Sequence, residues 1–412
     1  MKILHVSTSD VDGGAARAAY RIHKGLTSID VDSKMLVRTK LERDPTVLAN
    51  KTPLAQLGSK LDALPLRQYP NRDSTMFSPQ WFPDSVVSRV KQIDPDIVHL
   101  HWVCNGFLRI ESLAKFQKPI VWTLHDMWPL TGGCHYTKGC DRYQEGCGSC
   151  PQLSSTKQRD LSFRVWQRKK RIWPKLNLTL AAPSHWLAAC IKSSPLFEGF
   201  RIEVIPTGID AKRYKPIDKQ VARVALGLPV DKRLILFGAG STSGDPRKGF
   251  RHLLAALQKL YTDEWFEQLE LVVFGESSAG SRPTAFKTHY MDRLRDDISL
   301  ALVYASADLF VAPSVQDNLP NTVIEALACG TPCLAFNIGG MPDMIEHQEN
   351  GYLAEPFDIA DLARGIEWTL ADMTRHHRLS LSAHEKARKA FCLEERARQY
   401  STLYSNLLQP TA

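Results

Sequence analysis

The chain has 412 residues, of which 43% are hydrophobic and 23% charged. That is a globular composition, too long for one ordinary core, so two domains are expected and a disordered or fibrous chain is excluded. No apolar run is long enough to span a bilayer, and the opening MKILHVSTSD has no apolar signal-peptide core, which predicts a cytoplasmic protein. The net charge of +8 is uneven: residues 1–200 hold 28 Lys/Arg against 17 Asp/Glu, and residues 201–412 hold 24 against 27. A basic first half suits an anionic ligand or surface. With no recognition module in the chain, nucleic acid is not an expected partner.

KILHVST (2–8) reads as a first strand, followed by Gly13-Gly14 and the periodic AARAAYRIHKGL. Glycines between a strand and a helix let a ligand approach the backbone, and Arg17, about one helical turn on, adds charge. SKMLVR (33–38), DIVHLHW (96–102), PIVWTLHD (119–126) and LTLAAPS (178–184) are further near-continuous apolar strands. Such strands alternating with helical patterns predict parallel sheets covered on both faces. Residues 39–80 fit neither pattern and read as a loop excursion.

His99 and His101 alternate around Leu100 and so share a strand face. His125 ends the strand PIVWTLHD, and Asp126 either orients its ring or caps the next turn. The loop over 131–153 then carries Cys134, Cys140, Cys147 and Cys150. In a reducing compartment this cluster favours a structural tetrahedral zinc, with two disulfides or free thiols as the alternatives. LSFRVWQRKKRIWPKL (161–176) combines basic residues with Phe163, Trp166 and Trp173. It reads as a peripheral membrane contact or as a solvated helix packed by its aromatics.

The Pro/Gly/Asp-rich stretch near residue 210 is a candidate hinge, after which the pattern restarts with RLILFGAG (233–240), LELVVFG (269–275), DLFVAPS (308–314) and TPCLAF (331–336). The predicted domains are 1–208, 209–390 and a C-terminal helix, 391–412, that crosses back. In GAGSTSGDPRKGF, Arg247 and Lys248 stand at a helix start, unfavourable against the dipole unless an anion joins them. In DNLPNTVIEALACGTP, Pro320 suits a first helical turn. The N–H groups of Asn321, Thr322 and Val323 would then point at an anion, with Glu325 beside them.

These segments, together with APSHWLAACIKSS, YASADLFVAPS and GGMPDMIEHQENGYLAEP, resemble the family 4 retaining glycosyltransferases of the GT-B fold over almost the whole chain. Among them, the closest resemblance is to members that build bacterial surface polysaccharide of the colanic-acid type. The resemblance implies an α/β fold of two Rossmann-like, doubly wound domains facing across a cleft. The first would bind acceptor and the second nucleotide sugar. It implies a nucleoside diphosphate sugar donor, UDP- or GDP-linked, and a glycan or lipid-linked acceptor reached at the inner face of the plasma membrane. His125 would touch the transferred sugar, Lys248 and Arg247 the diphosphate, Asp317 the sugar and Glu325 the ribose. Gly13, Gly14, Asn318, Leu319, Pro320, Asn321, Thr322 and Val323 would bind donor, while Arg17, His101 and Asp126 are acceptor candidates. Two departures stand out: Asp317 replaces the usual Glu, shortening the reach by about 1.5 Å, and Ser243 occupies the usual place of the partner arginine.

Such a site needs no catalytic metal, because cations and helix N–H groups stabilise the leaving diphosphate. The alternatives are a nucleotide-sugar epimerase of the same architecture or a non-catalytic sugar-nucleotide-binding subunit. A dinucleotide dehydrogenase is disfavoured, since no G-x-G-x-x-G follows the first strand.

Overall fold

β1 (Lys2–Ser9) is buried at seven of its eight positions, because helices cover both faces of its sheet. In a computed structural model of the chain, residues 1–238, 245–260, 267–275, 285–294 and 296–409 are described. They form two compact units: residues 1–206 with 394–412, and residues 207–393.

The first unit is a seven-stranded parallel sheet in the order β3-β2-β1-β4-β5-β6-β7. Besides β1 its strands are β2 (Asp32–Thr39), β3 (Val47–Ala49), β4 (Ile97–Leu100), β5 (Ile120–Thr123), β6 (Leu178–Ala182) and β7 (Arg201–Val204). Chain order reverses between β1 and β4, the position where doubly wound sheets open a crevice at their carboxyl ends. The helix Leu393–Leu408 completes this unit: Tyr400 and Tyr404 are buried with Ile3, Ile97 and Val121. The tyrosine hydroxyls bond Thr123 Oγ1 at 2.9 Å and His99 Nδ1 at 2.6 Å. Residues 39–80 are not the plain loop that composition suggested. They contain β3 and a helix, Pro53–Leu61, capped by Thr52. Gly58 there packs so closely on Gly106 that an added Cβ would lie 2.1 Å from the Gly106 carbonyl oxygen.

The second unit is a six-stranded parallel sheet in the order β10-β9-β8-β11-β12-β13. Its strands are β8 (Arg233–Gly238), β9 (Leu269–Phe274), β10 (Thr288–Tyr290), β11 (Leu309–Ala312), β12 (Cys333–Phe336) and β13 (Gly351–Ala354). Buried apolar clusters lie on the two faces of this sheet. One is built around Phe310, Val323 and Leu327, the other around Ile235, Leu257 and Ile366. Among the described residues no helix is long and apolar enough to cross a membrane.

Candidate active site

In the second unit all strands are parallel, so the loops after β8, β11 and β12 leave from one edge. Residues 239–244, including Ser243, lie outside the described residues. Beyond them Pro246–Lys248 forms a 3-10 turn that ends at Gly249, φ 76°. A Cβ on Gly249 would lie 1.8 Å from the Pro313 carbonyl oxygen, so only glycine permits this contact. Val315 N donates to Arg247 O at 2.8 Å and locks the two loops together.

That stitching brings both cations onto one carboxylate. Lys248 Nζ stands 2.6 Å and an Arg247 guanidinium nitrogen 3.0 Å from Asp317 Oδ2. Ser314 Oγ donates to the same oxygen at 3.2 Å, and Asn318 N to Oδ1 at 3.1 Å. Asp317 is 4% exposed. Burial opposes its ionisation, but Lys248 and Arg247 outweigh that and hold the carboxyl well below its ordinary range. Arg247 is shared with Gln316 O and Asp245, at 2.9 and 2.8 Å. From the β12 side, Gly340 N donates to Asp317 O at 3.2 Å, and a Cβ on Gly339 would fall 2.1 Å from that oxygen.

The helix Asn321–Ala328 departs from the sequence reading in two ways. Pro320 is its N-cap in an extended conformation, not its first helical residue. Val323 N donates back to Pro320 O at 3.1 Å, which removes it from the outward-pointing set. Glu325 is neither exposed nor isolated: it is 3% exposed and accepts a 2.8 Å hydrogen bond from the buried Tyr304 hydroxyl. Tyr304, Ser314 and the Gly339-Gly340 turn were not singled out from sequence. The one usable signal for Tyr304 was a hydroxyl within the otherwise small and apolar SLALVYASA, because a buried tyrosine hydroxyl needs a partner. Leu319 and Asn318 are buried beside Asp317, while Asn321 and Thr322 are half-buried at the helix start.

In the first unit Gly13 and Gly14 are exposed after β1, and Gly13 caps the helix Gly14–Ser28 at φ 97°. Arg17 is half-buried in its first turns. His101 does not line an open surface: it is 2% exposed and sits inside a chain of imidazoles. His101 Nε2 contacts His5 Nδ1 at 2.9 Å, and His101 Nδ1 contacts the half-buried His125 Nε2 at 3.1 Å. Burial pushes all three below the ordinary histidine value, His125 to about 4 against a smaller opposing pull from Asp126. Neutral rings donate once and accept once, so the chain has a direction. His5 Nε2 finds no hydrogen-bond partner among the described residues. A buried lone pair left unpaired costs less than a buried N–H left unpaired. On that ground His5 Nδ1–H donates to His101, His101 Nδ1–H donates to His125 Nε2, and His125 keeps its proton on Nδ1.

Ligand atoms of His5, His99 and His101 lie within 4.8 Å of one another. His99, however, spends both ring nitrogens on Tyr404 and Thr123, and His101 spends both on His5 and His125. A hydrogen-bonded cluster accounts for these rings without an ion. Asp126 does not bond the His125 ring. It pairs with His135 Nδ1 at 2.6 Å, accepts from Trp102 Nε1 at 2.9 Å and caps Trp128 N at 2.9 Å, so of its two expected roles it takes the cap.

The basic helix Leu161–Ile172 turns its aromatics inward: Trp166 and, just beyond it, Trp173 are 2% and 0% exposed. Their indole N–H groups bond Tyr143 O and Pro129 O. Of the three aromatics expected at a membrane contact, Trp166 and Trp173 are therefore core residues and Phe163 is half-buried, while Arg164, Lys170, Arg171 and Lys175 form the exposed face.

Known proteins share both halves. Residues 12–213 match the profile of Glycosyltransferase Family 4, and residues 232–372 that of Glycosyl transferases group 1. The putative colanic acid biosynthesis glycosyl transferase WcaC of Escherichia coli is 24% identical over 328 residues, covering 76% of this chain and 77% of that protein. D-inositol 3-phosphate glycosyltransferases of Segniliparus rotundus and Rhodococcus opacus are 33% and 31% identical over 38% and 45% of this chain. Those matches span 36% and 44% of the relatives' own length. Among solved structures, sucrose-phosphate synthase of Thermosynechococcus elongatus superposes with a TM-score of 0.69 at 20% identity, over 99% of each chain. Anabaena HepE in complex with UDP and glucose superposes at 0.64 and 18%, over 98% of this chain and 99% of that one. With two parallel sheets in separate units and both family profiles matched, the chain belongs to the family 4 glycosyltransferases of the GT-B type.

Proposed function

We propose that the chain is a retaining glycosyltransferase that takes a sugar from a nucleoside diphosphate sugar, UDP- or GDP-linked. It passes that sugar to a glycan or lipid-linked acceptor in surface-polysaccharide assembly. The observation that carries the reading is the pair of cations, Lys248 and Arg247, gathered on Asp317 at the carboxyl edge of the second sheet. A diphosphate needs two such charges, and this pair is already assembled and partly desolvated, where it acts most strongly. HepE, solved with UDP and with UDP-glucose, and WcaC, named for colanic acid biosynthesis, lend support to the donor class and the setting.

In this reading the anomeric C–O bond to the β-phosphate breaks while Lys248 and Arg247 take up the charge growing on the phosphate. The acceptor hydroxyl oxygen bonds to the anomeric carbon on the face the phosphate leaves. Its proton passes to a departing phosphate oxygen, and no divalent metal enters the step. Glu325, oriented by Tyr304, holds the ribose hydroxyls, and the backbone at Asn318 and Leu319 reads the sugar, compensating for the short Asp317. His125, with Nδ1–H pointing away from the imidazole chain, donates to a sugar oxygen. The exposed cations Arg164, Lys170, Arg171 and Lys175 provide the contact to anionic lipid at the inner face of the membrane.

Calorimetry and nucleotide release against a panel of UDP-, GDP- and ADP-sugars test the donor assignment. Binding of one nucleotide sugar that is lost in both Lys248→Ala and Glu325→Ala supports it. Binding that ignores both substitutions, or no binding at all, rejects it.

A further inference from the structure

The transfer reaction leaves the cysteine loop unexplained. Cys134, Cys140, Cys147 and Cys150 all line one cavity, and all four are free thiols. The cavity is about 20 Å³, a little more than the ~10–15 Å³ that one water-sized sphere needs, so it suits a single ion rather than a metal–sulfide cluster. Beyond the cysteines its wall holds Phe77, Tyr143, Arg142, Gln152, a serine and two threonines, none of them a usual zinc ligand, which leaves sulfur as the principal ligand chemistry.

Three further observations point to a bound cation. Cys147 Sγ accepts a hydrogen bond from Gly132 N at 3.1 Å, the kind of donor that steadies a thiolate ligand. The segment from Gly146 to Ser149 turns through residues with positive φ: Gly146 at 137°, Cys147 at 55°, Gly148 at 110° and Ser149 at 43°. The helix Leu161–Ile172 grips it, with Asp160 accepting from Cys150 N at 2.8 Å and Ser162 from Gly148 N at 2.9 Å. The third is Lys169, which is 0% exposed, donates to the backbone carbonyls of Trp128 and Thr131 and lies over the Trp128 ring. Burial disfavours the charged form of Lys169, and the nearby Cys104, Cys147, Cys134 and Asp126 favour it, so thiolates in a filled site would steady the ammonium.

We propose that Cys134, Cys140, Cys147 and Cys150 bind one structural zinc ion, and that Lys169 compensates the charge of the filled site. Zn²⁺ displaces the four thiol protons to solvent and leaves a tetrathiolate centre of net charge −2. Lys169 and Arg142, whose guanidinium donates to Gly148 O and Ser149 O at 3.1 and 2.9 Å, offset it. Among the described residues no three of these sulfurs lie within 4.8 Å of one another. Ligation at about 2.3 Å therefore draws the loop inward. With four sulfur ligands the ion has no open position, so its role is to hold the wall that follows His125 rather than to react with substrate.

The test is elemental analysis of the full-length protein, purified without chelator, with zinc released by a mercurial thiol reagent and counted against protein. The expected value is one zinc per chain, retained in Cys190→Ser and lost in Cys147→Ser and in Cys150→Ser. Exchange of the wild-type protein into cobalt should give the visible bands of a tetrahedral thiolate complex, a readout that does not depend on the variants folding. Zinc well below one per chain with no uptake from added zinc overturns the proposal. So do disulfides among the four cysteines in non-reducing peptide mapping, or iron with labile sulfide. None of these readouts depends on transferase activity.

Discussion

At the middle of the first sheet the buried polar cluster is a set of neutral rings: His5, His99 and His101 are buried and bonded to one another, to hydroxyls or to His125. In the second unit the carboxyl edge of the sheet holds charges, with Asp317 buried against Lys248 and Arg247. The imidazole chain runs from within β1, through His101 at the end of β4, to His125 just past β5, and the charged cluster lies past β11; they suit different tasks. A neutral imidazole chain fixes where a single proton resides, which suits orientation of a ligand hydroxyl. A charged triad stores field at a fixed position, which suits a leaving group that gains charge.

The sharpest way to break the charged side is Lys248→Ala. The turnover should fall by about 10²–10³, the usual loss of one positioned electrostatic donor. Circular dichroism should show the fold intact, because Arg247 still pairs with the Asp317 carboxylate. Next is Asp317→Asn, which leaves two partly buried cations without their shared anion. Removing one partner of such a pair costs about 3–5 kcal/mol when the pair is fully buried. With Lys248 22% exposed the loss should sit at or below the lower end. Thermal melts should show the drop, and added nucleoside diphosphate should recover part of it by supplying the missing charge.

Acid separates the two sides. The folded values of His5, His23, His99, His101 and His125 are all depressed, chiefly by burial, with His23 and His125 at about 4. Below the unfolded value of about 6.5 the unfolded chain takes up protons that the folded one refuses. Each histidine then removes about 1.4 kcal/mol per pH unit until its folded value is reached. Asp317 is depressed as well, so its contribution is present above the usual carboxylate value of 3.8 and lost only below it. The first unit should therefore begin to destabilise near pH 6, while the Asp317 cluster persists to below pH 4. Hydrogen exchange resolved by segment at pH 7 and pH 5 checks this. Equal loss in both units would refute it.

Two smaller effects sharpen the comparison. His101→Phe removes the donor that fixes His125. It should lower kcat several-fold with little change in donor Kd, and nitrogen NMR should show His125 leaving the Nδ1–H tautomer. Tyr304→Phe removes a hydrogen bond to a charged acceptor, about 1.5–3 kcal/mol at most. It should weaken nucleotide binding by about tenfold while leaving Lys248 in place.

Much of this was legible in the amino-acid sequence. Short, near-continuous apolar runs can satisfy their backbone only in sheets covered on both faces, so the parallel strands and the two-unit division followed from pattern alone. The Lys248-Gly249 pair, Asp317 and Glu325 were singled out by their resemblance to the family's donor segment, and the fold brings Lys248 onto Asp317. What sequence left open depends on which residues become neighbours from afar. The helix Pro53–Leu61 is short and poorly patterned, and its place is set by contact with Gly106. His101 reads as a strand-end residue, and only its packing between His5 and His125 turns it into an interior link. Asp126, next to His125 in the chain, bonds His135 instead. Trp166 and Trp173 look like membrane anchors until the core claims them. Local pattern fixes the elements because backbone hydrogen bonding and hydrophobic period are properties of a short segment. Partners of buried polar groups are chosen by desolvation and by chain segments tens of residues away, and that choice is made only when the tertiary structure closes.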